Sequence, residues 1–133
     1  MAIEVSGGLE AVPEVPHAIR ILIVDDEMLI RWALGQALSA RGCVITEAAT
    51  AREALAAVRA GSFDVILMDY RLPDTTHLEL LREIRATTPQ ARVVMMTAFG
   101  TPEMLDEARQ LGVRRVLEKP IDLDVATQAI LHL

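Results

Sequence analysis

Asp25, Asp26, Asp69, Thr97 and Lys119 each stand at or just beyond the C-terminal end of an apolar run of strand length. In an open α/β sheet, strand ends line the crevice where ligands bind. Three carboxylates, a hydroxyl and an ammonium would then converge on one sheet edge. The carboxylates repel one another unless a cation sits among them. A hard divalent ion such as Mg²⁺, which takes oxygen ligands and keeps some water, suits that set. A phosphoryl group suits it too, since its oxygens could bond the metal, Thr97 and Lys119.

The elements that must position these residues alternate along the chain. Arg20–Val24 is an apolar run ending in Asp25-Asp26-Glu27. Residues 28–41 have helical spacing, with Leu29 or Ile30, Ala33 or Leu34, Ala37 and Leu38 on one side and Gly42 as a stop. Residues 43–47 make a short strand. Thr50 is placed to cap a helix over 51–60, with Glu53 at capping-box spacing and Gly61 as terminator. A strand over 63–68 leads to Asp69, and a helix over 75–87 carries Leu78, Leu81, Arg82 and Ile84 at spacings of three and four. A strand over 91–96 leads to Thr97, and a helix over 102–111 stops at Gly112. A strand over 113–117 leads to Lys119-Pro120, and a last helix runs from residue 121 to the end.

Five βα units predict an α/β fold of the flavodoxin-like type, a doubly wound parallel (βα)5 sheet with strand order 2-1-3-4-5. They are too few for an eight-fold barrel. In that order the first and third strands are neighbours at the switch point. Asp25, Asp26 and Asp69 then meet, with Thr97 and Lys119 brought to the flank by the fourth and fifth strands.

The 133 residues suffice for one domain with a real core. Hydrophobic residues make up 52% and aromatics only 3%, so the core is aliphatic, as in strands buried on both faces. A net charge of −6 argues against a sequence-independent grip on nucleic-acid backbones by this domain. The single cysteine, Cys43, excludes an intrachain disulfide, fits a reducing cytoplasmic setting and reads as a buried structural thiol. No segment approaches the roughly 20 apolar residues that span a bilayer, and no secretory signal is legible. Residues 1–18, with two glycines, two prolines and no sustained period, read as a flexible tail holding a solvated His17. Residues 19–133 form the domain.

The acids come first in the chemistry. Asp25 and Asp26 are consecutive where the chain leaves the pleat, so both side chains are able to turn toward the crevice. Alone, the Asp-Asp-Glu run would read as a solvated acidic turn at a helix start; with Asp69 and Lys119 on the same edge, a cation site is the better reading. Asp69 emerges from Val65-Ile-Leu-Met68, where a carboxylate is costly unless paired or ligated. It is also a competent nucleophile toward phosphorus. Phosphoryl transfer is mostly positioning and charge neutralisation, which Mg²⁺ and Lys119 would supply. Thr97 has a hydroxyl to donate to a phosphoryl oxygen; in isolation it would bond its own loop, and Lys119 would be a solvated lysine before a turn.

Val24-Asp25-Asp26-Glu27, Met68-Asp69-Tyr70-Arg71-Leu72-Pro73, Met96-Thr97-Ala98-Phe99-Gly100 and Glu118-Lys119-Pro120 fall in this order along the chain. Together they make residues 19–133 closely resemble the receiver domain of two-component response regulators, the CheY-like family. The Met-Thr-Ala-Phe-Gly stretch is most similar to NtrC-type regulators, which activate transcription with an AAA+ ATPase. The resemblance implies that Asp69 is the phosphoacceptor, served by a sensor histidine kinase or a histidine phosphotransfer protein. It implies that Asp26 and Asp69 ligate Mg²⁺ directly, Asp25 mainly through water, and the Arg71 backbone carbonyl completes the protein ligands. Lys119 would contact the phosphoryl group, Thr97 would report its arrival, and the Lys119–Pro120 peptide would be cis. The output face would be the fourth helix, fifth strand and fifth helix, a surface that could also pair two copies.

Two positions depart from the family pattern. Val116 stands where the family usually carries a switch aromatic, and Phe99 in the loop after strand four is the candidate substitute. His77 stands where glycine is common, and reads as a turn replacement rather than a pH-sensitive contact. Trp32 reads as a packing anchor, His132 as a surface residue, and Arg114 and Arg115 as pointing to opposite faces of the last strand. The leading function is a phosphorylation-controlled switch that acts catalytically only on its own phosphorylation and hydrolysis. A degenerate receiver that serves as a docking module is the alternative. A phosphohydrolase resembling the haloacid dehalogenases is disfavoured, because Arg71 stands where those enzymes carry a second acid.

Overall fold

The computed structural model describes residues 17–76 and 78–133. Its elements are β1 (Arg20–Val24), α1 (Met28–Ser39), β2 (Val44–Ala48), α2 (Ala51–Ala60), β3 (Val65–Asp69), α3 (Glu79–Thr87), β4 (Arg92–Thr97), α4 (Pro102–Gln110), β5 (Val113–Glu118) and α5 (Leu123–Leu131). The strands form one parallel sheet in the order β2-β1-β3-β4-β5. This is the flavodoxin-like architecture expected from the alternation of apolar runs and helical stripes.

The two-residue period of the strands divides the core into two layers. Leu22, Val24, Ile66, Met68, Val93 and Met95 face α2, α3 and α4, which contribute Ala54, Val58, Leu81, Ile84, Met104 and Ala108. Ile21, Ile23, Val65, Leu67, Val94 and Met96 face α1 and α5, which contribute Leu34, Leu38, Ala126 and Ile130. Nearly every residue of β1, β3 and β4 is buried, the reason those strands read as unbroken apolar runs.

Local signals fix the boundaries. Thr50 Oγ1 accepts the Glu53 N–H at 3.1 Å, while the Glu53 carboxylate reaches back to the Ala49 N–H at 2.8 Å. Thr101 caps α4 and Asp122 caps α5 through the same Ncap-to-N3 bond. Gly42 and Gly112 follow α1 and α4 at φ of +88° and +86°, where a side chain would be strained.

Two expectations need correction. The third helix starts at Glu79, not at residue 75. The Asp74 carboxylate accepts the Ala51 and Arg52 N–H groups at 2.8 and 3.0 Å, which ties this stretch to the start of α2 as a turn. Trp32 is not a packing anchor: it is 59% exposed, as are its neighbours Met28 and Leu29 to a greater degree. The buried stripe of α1 runs through Leu34, Gly35 and Leu38, and two residues along a helix amount to about 200° of rotation. The last strand carries an irregularity the sequence did not announce, while Arg115 lies toward α5 and Arg114 toward α3 and α4. The β4–β5 register passes from Val93↔Val113 to Val94↔Arg115, so Arg114 is the extra residue of a bulge, and both arginines are exposed. Cys43 is buried, His17 and His132 are exposed, and His77 and residues 1–16 lie outside the described residues.

Candidate functional site

Strand register builds the site. Val24 pairs with Met68, so the next residues, Asp25 and Asp69, leave adjacent strands side by side. Both continue the parity of Ile21, Ile23, Val65 and Leu67. The ladder also extends past the strands: Asp25 N–H bonds Ala48 O, Tyr70 N–H bonds Met96 O, and Lys119 N–H bonds Thr97 O at 2.8 Å. Arg31 of α1 donates to the Asp25 carbonyl at 2.7 Å and pairs with Glu47 at 3.1 Å, fixing the end of β1. The Lys119–Pro120 peptide is cis.

Lys119 Nζ is the hub. It lies 2.9 Å from Asp25 Oδ2, 3.0 Å from Glu27 Oε1 and 2.9 Å from Asp69 Oδ2. Three carboxylates therefore share one ammonium with three N–H donors. Asp25 is fully buried and Asp69 nearly so, whereas Glu27 is mostly exposed. Asp25 Oδ1 accepts the Glu27 N–H at 2.8 Å, and Asp69 Oδ1 accepts the Arg71 N–H at 3.1 Å. Burial pushes the Asp25 carboxyl above its ordinary value; the Glu27 N–H and Lys119 only partly offset this, and the Asp69 charge adds to it. Burial alone would lower Lys119, but the carboxylates of Asp69, Asp25 and Glu27 around it outweigh that and hold it well above the usual lysine range. The ammonium stays charged.

The residues fit a divalent cation. Asp25 Oδ2 is buried and, although close to Lys119, accepts no hydrogen bond of good geometry from the described residues. One carboxylate oxygen from each of Asp25, Glu27 and Asp69 lies within 4.8 Å of the others, a set of hard donors of the kind Mg²⁺ takes. Asp26 is exposed and stands outside this close trio. Glu27 has no role of its own in the sequence reading, and the available signal was the unbroken Asp25-Asp26-Glu27 run. Thr97 is buried at the end of β4, and its Oγ1 accepts the Phe99 N–H at 3.2 Å. Val116 is half-buried on β5 and lines the same cavity as Thr97, and Phe99 is 76% exposed.

Fold and crevice together define a flavodoxin-like domain with an acidic pocket at its switch point. The chain belongs to the response regulator receiver domain family, whose profile matches residues 21–131. It is 32% identical over 111 residues to sporulation initiation phosphotransferase F of Bacillus subtilis, covering 84% of this chain and 90% of that protein. It is 36% identical over 110 residues to the DNA-binding transcriptional regulator NtrC of Salmonella typhimurium, covering 83% of this chain but 24% of that protein. The chain thus spans about a quarter of NtrC's length. A CheY-like receiver domain protein from Methanospirillum hungatei superposes with a TM-score of 0.82 at 30% identity, over 86% of this chain and 92% of that one. Among the described residues, no helix is long and apolar enough to cross a membrane.

Proposed function

We propose that this chain is the phosphoacceptor switch of a two-component phosphorelay, working in the cytoplasm. An Asp69 carboxylate oxygen attacks the phosphorus of a phosphohistidine on a sensor histidine kinase or a histidine phosphotransfer protein. A P–O bond forms, the P–N bond breaks, and its electron pair stays on the imidazole nitrogen. The observation that carries this reading is the setting of Asp69, a nearly buried strand-end carboxylate with Lys119 Nζ 2.9 Å from Oδ2. Asp26, Asp69 and the Arg71 carbonyl would hold Mg²⁺, with Asp25 acting mainly through water. Bound there, the metal would neutralise charge on the transferring phosphoryl oxygens.

The remaining residues divide the work. Lys119 must release one carboxylate to receive a phosphoryl oxygen, and the exposed Glu27 is the partner most easily given up. The Phe99 N–H uses a lone pair of Thr97 Oγ1, which leaves the hydroxyl proton available to donate. The domain acts catalytically on its own phosphorylation and hydrolysis alone. Output passes through the face of α4, β5 and α5, which controls a transcriptional partner and pairs two copies, without direct contact to nucleic acid by this domain.

Intact-mass spectrometry after incubation with Mg²⁺ and acetyl phosphate tests the reading. A single phosphoryl adduct is expected on the wild type and none on Asp69→Ala. An adduct that persists in the variant removes Asp69 from its role. A folded wild type that takes no phosphoryl group from this donor or from a panel of kinases supports the docking-module reading, which Val116 in the aromatic's place also favours.

A further inference from the structure

At the end of the sheet opposite the acidic pocket, the starts of β4 and β5 and the loops before them border an open groove of about 550 Å³. Arg85, Arg92 and Arg114 line it, and among the described residues no carboxylate does, although acidic residues outnumber basic ones 19 to 13 in the chain.

Arg85 is built in. Its Nε donates to Leu111 O at 2.9 Å, Nη1 to Pro89 O at 3.2 Å and Ala91 O at 2.7 Å, and Nη2 to Gly112 O at 2.9 Å. Four of the five guanidinium N–H groups are thereby fixed. The guanidinium packs on Gly112, where an added Cβ would come within 3.3 Å of Nη2. Burial, and then the Arg114 charge, pull Arg85 below the ordinary arginine value. Stitching two loops together accounts for Arg85 alone. It does not account for two further arginines beside it. The β5 bulge displaces Arg114 from the regular pleat, and among the described residues Arg114 pairs with no carboxylate. Arg92 has one long contact, from Nη1 to Leu133 O at 3.5 Å, and feels the charge of Asp64.

We propose that this groove binds a small oligophosphate, with Arg85 as a fixed positive charge at its floor and Arg92 and Arg114 as its exposed arms. The planar guanidinium forks of the two arms match phosphate oxygens. A ligand with two or more linked phosphates matches three positive charges spread along a groove larger than one phosphate. The phosphates could come free or as the tail of a nucleotide, so two probes are needed.

Titration calorimetry of the full chain in a metal chelator, with inorganic pyrophosphate and separately with ADP, is the test. Saturable binding with one site is expected for pyrophosphate. ADP binding more tightly assigns the site to a nucleotide tail; equal or weaker ADP binding assigns it to free oligophosphate. The Arg92→Gln/Arg114→Gln double variant should bind about tenfold more weakly or worse, as loss of charge-assisted bonds implies. Both side chains are exposed, and a thermal melt checks that the variant folds. In wild-type NMR spectra the amides of Gly112 and Arg114 should shift on titration. Absence of saturable binding by both probes, unchanged affinity in the folded double variant, or shifts confined to the Asp25–Asp69 pocket would overturn the proposal.

Discussion

Asp25 has no solvent contact, and its neighbours are two other carboxylates and one shared ammonium. Its folded carboxyl titrates above the ordinary 3.8, with burial as the chief cause. Between the ordinary and raised values, the folded chain holds more protons than the unfolded one. Stability therefore falls as pH rises through that window, and the whole cost remains at higher pH. Asp25→Asn removes the charge while keeping an oxygen for the Glu27 N–H. In metal-free buffer near neutrality, the variant should show a higher denaturant midpoint than the wild type, and the gap should close as pH falls below 3.8. A wild type that is the more stable of the two at neutral pH would mean that Lys119 more than repays the burial. Asp25, Asp69, Thr97 and Lys119 were legible in the sequence because each ends an apolar run, and strand ends share an edge. The place of Glu27 was not legible. It rests on the extended backbone of that residue, at φ −90° and ψ 110°, and on a lysine 92 positions away.

Elements were legible where one local signal dominates. Thr50 and Glu53 announce the start of α2, and the Thr50 hydroxyl meets the Glu53 N–H. Thr50→Ala should lower unfolding free energy by about 1 kcal/mol and leave acetyl-phosphate labelling unchanged; a loss of labelling would tie the cap to the acidic pocket. The β5 bulge was not legible, since it depends on how the turn at Gly112 meets β4. The start of α3 was hidden for a similar reason, because Asp74 bonds two N–H groups more than 20 positions earlier. The β4–α4 loop carries a sharper question. Val116 offers no ring, and a cavity of about 360 Å³ lies among Thr97, Gly100, Leu105, Val116 and Val125. Phe99 is exposed, two residues from Thr97 in the chain, and its N–H already bonds the Thr97 oxygen. If Phe99 serves as the readout, Phe99→Ala will be phosphorylated like the wild type but will respond less to phosphorylation in a target-binding or dimerisation assay. Equal response in both proteins ends that idea.

At the scale of the whole molecule, strand order and layer assignment followed from alternating apolar runs, because a parallel sheet covered on both faces leaves few ways to bury β1, β3 and β4. The acidic pocket is the edge of that sheet, tied across it by the Asp25, Tyr70 and Lys119 N–H groups. An unfolded chain separates Asp69 from Asp25 and Asp26 and loses the pocket. A cation held there binds the folded state alone and stabilises all of it by mass action, about 2.7 kcal/mol when its concentration is a hundred times Kd. Thermal melts in increasing Mg²⁺, referenced to a chelator, should therefore show a rising Tm for the wild type. The Asp26→Asn/Asp69→Asn double variant should gain little from Mg²⁺. An equal gain in wild type and variant would place the ion elsewhere, and a wild type indifferent to Mg²⁺ would leave Lys119 as the pocket's working cation.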